Sequence, residues 1–248
     1  MRTGSKAYVA PPPENENAHC HRLRTAAQPS ILNARPLASL SPILIKRLGR
    51  VDYEPAWHAM KDFTARRTVS TPDELWLLEH PPVYTLGVAA RPQHLPRLDN
   101  GVALVKTDRG GQITYHGPGQ PVIYLLLDMR RRGLSVRPLV RLMENAVIDL
   151  LADHGVAARA RVDAPGVYVG NAKIAALGLR IRNGCCYHGI ALNVDMDLSP
   201  FRAIDPCGYP GLEVTQMREL GIAITPDFAG DQLMQRLLTR LQTPGPRS

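Results

Sequence analysis

From Leu139 onward, apolar residues recur at helical spacing, through Leu142, Met143, Ala146, Val147, Leu150 and Leu151, and Gly155 stands where a C-terminal cap belongs. The apolar stripe of this helix needs a sheet to cover. Upstream, Glu54 to Arg67 reads as a helix, and ordered structure is expected to begin near Ile43. Short apolar or alternating runs then predict strands at Leu75 to Glu79, Val83 to Leu86, Ala103 to Lys106, Gln112 to Tyr115 and Val122 to Leu127, divided by turn residues. Val167 to Val169 and Ala172 to Ile181 read as two strands around the Gly170 and Asn171 turn, and Cys186 to Val194 continues the sheet. Glu213 to Leu220 and Asp227 to Leu241 are expected as closing helices. Strands fall in adjacent runs instead of alternating with helices, which predicts an α+β fold: a mixed, largely antiparallel β-sheet flanked by helices.

The opening stretch lacks any such period. Residues 1 to 37, with Pro11, Pro12 and Pro13 followed by alternating Glu and Asn, read as a mobile polar extension. Residues 38 to 243 read as one catalytic domain and 244 to 248 as a flexible tail. His19, Cys20 and His21 are adjacent and would make a poor closed metal site without distant ligands, so no metal is expected.

Composition narrows the class. The chain has 248 residues, 44% of them hydrophobic, enough for one substantial core. No apolar run approaches the roughly 18 residues of a membrane span, and the first residues lack the apolar stretch of a secretory signal, so a cytoplasmic location without membrane association is expected. Four cysteines, Cys20, Cys185, Cys186 and Cys207, are too few and too unevenly placed for a disulfide framework. The formal charge of +8 favours acidic partners. Aromatic residues at 5% leave little for base stacking, and nucleic acid is not expected as a partner. Arg130, Arg131 and Arg132 form the densest basic run and read as a solvated turn.

The chemistry turns on which thiol is exposed and reactive. Cys185 and Cys186 begin a strand, where small thiols pack. Cys207 lies in DPCGYPG, a stiff loop whose glycines leave room beside the sulfur, and is a nucleophile candidate. Its thiol needs a stabilised anion at neutral pH. Lys173, in GNAKIAALG, is the candidate cation, with an exposed strand lysine as the ordinary alternative. At an effective dielectric of about 20, an ammonium about 4 Å away contributes roughly 4 kcal/mol, whereas lowering a thiol by two pKa units needs about 2.7 kcal/mol. His116 and His188 are further candidates for moving protons.

RGGQITYHGPGQ, GNAKIAALGLRIRNG, CYHGIALNV and DPCGYPG, in that order, resemble the lipoyl(octanoyl) transferases, whose catalytic fold is shared with lipoate and biotin protein ligases. The resemblance spans roughly Ile43 to Leu220. It implies an acyltransferase in which Cys207 carries the acyl group and Lys173 activates it. Substrate-contacting residues would be Arg109, Gly110, Gly111, Gln112, Ile113, Thr114, Tyr115 and His116, then Ala176, Leu177 and Gly178, then Gly189, Ile190 and Ala191. Ala176 stands where serine is expected in many relatives.

The reaction so implied takes an octanoyl group from octanoyl-acyl carrier protein onto the cysteine. From there it passes to a lysine of lipoyl domains in 2-oxoacid dehydrogenase complexes and the glycine cleavage H protein. Exchange of one thioester for another preserves activation, so no nucleotide or other cofactor is expected. The alternatives are an ATP-dependent lipoate or octanoate ligase of the same fold and a noncatalytic module that binds a carrier protein or nucleic acid.

Overall fold

The structure, a computed structural model, describes residues 42–97, 100–205 and 211–242. All of these belong to the unit Ser39–Ser248. The expected extension 1–37, its His19, Cys20 and His21, and the tail 244–248 lie outside the described residues, as does Cys207.

Among the described residues, ten strands and three α-helices follow in the order β1 (Ile43–Arg50), α1 (Tyr53–Ala65), β2 (Asp73–Glu79), β3 (Val83–Leu86), β4 (Ala103–Lys106), β5 (Ile113–His116), β6 (Val122–Asp128), α2 (Val136–Ala152), β7 (Arg159–Ala160), β8 (Val167–Val169), β9 (Ala172–Arg182), β10 (Cys185–Leu192) and α3 (Pro226–Gln242). The large sheet runs β1-β2-β6-β10-β9-β8-β7 and the small one β4-β3-β5. Only the β1–β2 and β3–β4 pairs are parallel, so the α+β expectation holds.

The run VIYLLL of β6 shows why alternation is muted at the centre of the sheet. Ile123, Leu125 and Leu127 pack with α2 and α3, while Val122, Tyr124 and Leu126 pack with Ala56 and Met60 of α1. A strand covered on both faces reads as a continuous apolar run. The same parity governs β10, where Cys186, Ile190 and Leu192 enter the α2/α3 core and Tyr187 and Ala191 face α1.

Two expectations need correcting. Glu213 to Leu220 is not a helix: Lys173 N–H donates to Glu213 O at 2.8 Å and Thr215 N–H to Lys173 O at 3.0 Å, so this segment is extended beside β9. Only Met217–Leu220 forms a 3-10 turn. Backbone pairing to Lys173 outweighs the weak helical pattern of so short a stretch.

Nor is the arginine run wholly solvated. Arg131 and Arg132, with Arg67, converge on the fully buried carboxylate of Asp73. The Arg67 and Arg132 side chains are only 4% and 2% exposed. Burial alone would raise the Asp73 pKa, but the Asp128 N–H and the Arg132 and Arg131 charges outweigh it and lower the value. This cluster ties the α1–β2 connection to the turn after β6. Replacing Asp73 by Ala takes this buried counter-charge from two buried guanidinium groups and is expected to cost about 3–5 kcal/mol, read from urea unfolding. A loss below about 1 kcal/mol would mean that the surrounding carbonyls alone satisfy the arginines.

Candidate active site

A pocket open at its mouth, with about 720 Å³ of empty space when the solvent at that mouth is included, lies on the α1 side of β9 and β10. Its floor comes from strand register. Ala176 pairs with Ala191 and Gly178 with Gly189, two successive small cross-strand pairs, before Arg180 and Tyr187 close the row. A Cβ at Gly189 would lie 2.0 Å from the Ile123 carbonyl oxygen, so β10 approaches β6 closely only with glycine there.

Lys173 reaches this cavity through a break in the pleat. On β9, Ala175 belongs to the α2/α3 core, so strict alternation would put Ile174 on the cavity face and Lys173 in the core. The ladder with β8 instead shifts register between the Val167–Ala175 and Tyr168–Lys173 pairs. The extra residue lets Ile174 join Ala175 in the core and puts Lys173 on the cavity wall.

Lys173 is 4% exposed, which removes the reading of it as a surface lysine. Its Nζ donates to Pro165 O at 3.2 Å and stands 5.1 Å from the Tyr168 ring. The loop that offers this carbonyl is fixed in turn by Glu144, a buried carboxyl of α2 that accepts the Gly166 N–H at 3.2 Å. Gly166 has φ 144° and would carry a Cβ within 2.9 Å of the Lys173 Cε, so only glycine lets the lysine stem pass.

His188 is re-aimed by a second device. By parity with Cys186 and Ile190 its ring belongs in the α2/α3 core, yet it adopts φ +64°. Tyr187 and His188 have no ladder partner on β6, although pairing resumes in unchanged register at Gly189. The left-handed residue swings the ring to the cavity side, stacked on Tyr187 at 5.0 Å and edge-on to Tyr124 at 6.0 Å.

Asp108 anchors this arrangement. It accepts from Trp57 Nε1 at 2.7 Å, from His188 Nε2 at 3.1 Å and from the Tyr187 hydroxyl. Burial works against its charge, but these three donors outweigh it and hold its carboxyl well below the usual range. An ionised Asp108 only accepts, so His188 carries its proton on Nε2 and presents a bare Nδ1, which is buried without a partner among the described residues.

The RGGQITYHGPGQ segment supplies the opposite wall. The Arg109 guanidinium is buried and donates to Thr85 O, Gly110 O and Gln112 O at 2.6, 2.9 and 2.9 Å, so these contacts shape its own loop. Gly111, Gln112, Ile113, Thr114 and His116 line the cavity with Arg109. Across it stand Lys173, Ala176, Leu177, Gly178, Gly189, Ile190 and Ala191. Tyr115 does not line it; its ring packs against Tyr84 and Phe201. Gly110 is held away by its N–H bond to Leu179 O. Tyr53, Tyr124, Phe201 and Val214 also line the cavity, and no motif spacing pointed to them; Asn193, inside CYHGIALNV, lines it as well.

The thiols of Cys185 and Cys186 are buried, and burial raises both, Cys186 to about 12, in keeping with packing roles. Burial also lowers His80 to about 4 and His116 to about 3.

The Lipoyl protein ligase A/B catalytic domain matches residues 52–242. The octanoyltransferase of Dechloromonas aromatica (strain RCB) is 64% identical over 200 residues, covering 81% of this chain and 97% of its own. This chain belongs to the octanoyltransferase family. The fold is also that of protein Ta0514 from T. acidophilum with bound lipoic acid, at a TM-score of 0.65 and 18% identity over 80% of this chain and 85% of that one. Lipoate-protein ligase A bound with ATP superposes at 0.62, with 15% identity over 84% and 88% of the two chains.

Histidines held neutral in the folded protein bind protons more readily once unfolded. Their contribution to stability is complete above pH 6.5 and declines as pH falls toward 4, by about 1.4 kcal/mol per pH unit for each of His80 and His116. Urea unfolding at pH 5 is therefore expected to give a free energy lower than at pH 7 by roughly a few kcal/mol. Equal values would contradict the burial of these rings in neutral form.

Proposed function

We propose that the chain transfers an octanoyl group from octanoyl-acyl carrier protein to a lysine of lipoyl domains through a thioester on Cys207. The observation that carries this reading is a buried lysine, Lys173, on the wall of a cavity floored by alanine and glycine pairs. Phe201 and Val214, which flank Cys207 in sequence, both line that cavity and so support the cysteine as the group served. The Cys207 thiolate attacks the donor thioester, its new S–C bond replacing the one to the carrier arm, and the carrier leaves as a thiolate that takes a proton from water. The acceptor amine then attacks the enzyme thioester, giving an amide and returning the sulfur. Aminolysis of a thioester is downhill, so the reaction needs no nucleotide.

Burial sets the donor's acyl group. At about 0.8 kcal/mol per methylene, an octanoyl tail contributes roughly 5 kcal/mol in a dry apolar channel. Arg180 and Arg182 support an acidic carrier as donor. Both are exposed, neither has an ion pair among the described residues, and Arg180 continues the cavity-facing row of Ala176 and Gly178. The acceptors in this reading are the lipoyl domains of 2-oxoacid dehydrogenase complexes and the glycine cleavage H protein, and the setting is the cytoplasm.

Mixing the protein with octanoyl-acyl carrier protein, without ATP, is expected to give a covalent octanoyl adduct mapping to Cys207 by mass spectrometry. Formation of the adduct should slow as ionic strength rises. A Cys207→Ser variant that transfers octanoyl at the original rate would reject the nucleophile, and octanoyl adenylate formed from free octanoate and ATP would assign a ligase instead.

A further inference from the structure

Between the extended Glu213 to Thr215 segment and the cavity runs a chain of buried hydrogen bonds whose direction is fixed at one end. Thr215 O is a carbonyl and only accepts, so the Asn193 bond to it at 3.0 Å is donated by Nδ2. Asn193 Oδ1 therefore faces Gln120 and accepts from its Nε2 at 2.9 Å. That leaves Gln120 Oε1 to accept from His116 Nδ1 at 2.7 Å. Gln120 and Asn193 are 1% and 4% exposed. The imidazole is thus locked with its proton on Nδ1. Its Nε2, at the opposite side of the ring, has no partner among the described residues, and His116 lines the cavity.

The surroundings keep it so. Tyr53 of α1 stacks on the His116 ring at 6.0 Å and His80, after β2, meets it edge-on at 5.8 Å. Burial opposes a positive charge on it most strongly, and the His80 ring, the Arg109 guanidinium and the His188 imidazole add to that opposition. Lys173 faces the same cavity, and Tyr124, which also lines it, donates its hydroxyl proton to His80 Nε2, because His80 Nδ1 is committed to Val51 O.

We propose that His116 Nε2 is a fixed hydrogen-bond acceptor for the N–H of the incoming amine, and that Gln120 and Asn193 are positioning residues that hold it in that role. The inference rests on the function proposed above and assigns His116 to the second half of that reaction. As the amine nitrogen bonds to the thioester carbon it becomes cationic, and its N–H strengthens as a donor. An acceptor aimed at it therefore favours the transition state over the ground state. The C–S bond breaks and the sulfur leaves as a thiolate, the proton the amine loses is released to water, and the imidazole keeps its own proton throughout. A cationic lysine would meet Lys173 and Arg109 in the same cavity, so the neutral amine is the form this site selects.

The tautomer is read directly by ¹⁵N NMR of histidine-labelled protein, independently of activity. A protonated Nδ1 and bare Nε2 on His116, unchanged from pH 5 to 8, are expected; a protonated Nε2 would overturn the relay. In single-turnover measurements on preformed octanoyl enzyme, His116→Phe, which retains the stack on Tyr53, is expected to slow transfer to a lipoyl domain about 10²-fold. Acylation by octanoyl-acyl carrier protein should change less than about threefold. Equal slowing of both steps, or of neither, would overturn the assignment. Gln120→Glu places a carboxylate on Nδ1 and raises the His116 pKa. Transfer by that variant should fall with decreasing pH as Nε2 becomes protonated, while a pH profile matching the wild type would contradict the positioning role. Wild-type enzyme that forms no octanoyl adduct would refute the functional reading itself, whatever the tautomer.

Discussion

An ammonium buried in a cavity wall is costly unless charge, carbonyl oxygens or aromatic faces surround it, and that constraint shapes this half of the molecule. Lys173 is held by the Pro165 carbonyl and the Tyr168 ring, and its backbone is paired on both sides, to β8 and to the Glu213 to Thr215 segment. Glu144 fixes the Pro165–Gly166 turn from α2 and adds a carboxyl whose ionised form the lysine favours. Burial is the larger influence on Glu144 and raises its pKa. The helix that covers the sheet therefore also sets the environment of the cation.

The sheet itself resists such a site. Period-two alternation assigns each side chain a face, and a regular β9 and β10 would send Lys173 and His188 into the α2/α3 core. Two local departures, an extra residue at Ile174 that shifts the β8–β9 register and a left-handed His188, deliver both groups to one cavity while the β9–β10 ladder keeps its register. Between them the floor is left bare by Ala176, Ala191, Gly178 and Gly189. Cation, imidazoles and apolar channel thus share a face because the pleat is broken twice. Family membership places octanoyl transfer on this fold.

Much of this was legible in the residues. The strands VYTL and ALVK and the apolar spacing of α2 gave their elements within a residue or a few, because each has a period and turn residues at its ends. Lys173 and the RGGQITYHGPGQ wall were found by motif, and most of those residues meet at the cavity. The breaks in the pleat were not legible, since AKIAALG contains small and apolar residues on both parities and nothing marks which one is skipped. Glu144 was hidden beside Met143 in an apolar stripe, and Arg132 in a basic run, because the partners that bury them are distant in sequence. Tyr53 and Tyr124 carry no spacing signal for the same reason.

The central claim is that the buried Lys173 charge keeps the Cys207 sulfur ionic at neutral pH. The pH dependence of Cys207 alkylation, followed by peptide mapping in wild-type protein and in Lys173→Ala, tests it most directly. The account predicts that the variant's profile moves upward by about two pH units, with alkylation at pH 7 slowed by about 10–100-fold. Superimposable profiles would contradict it.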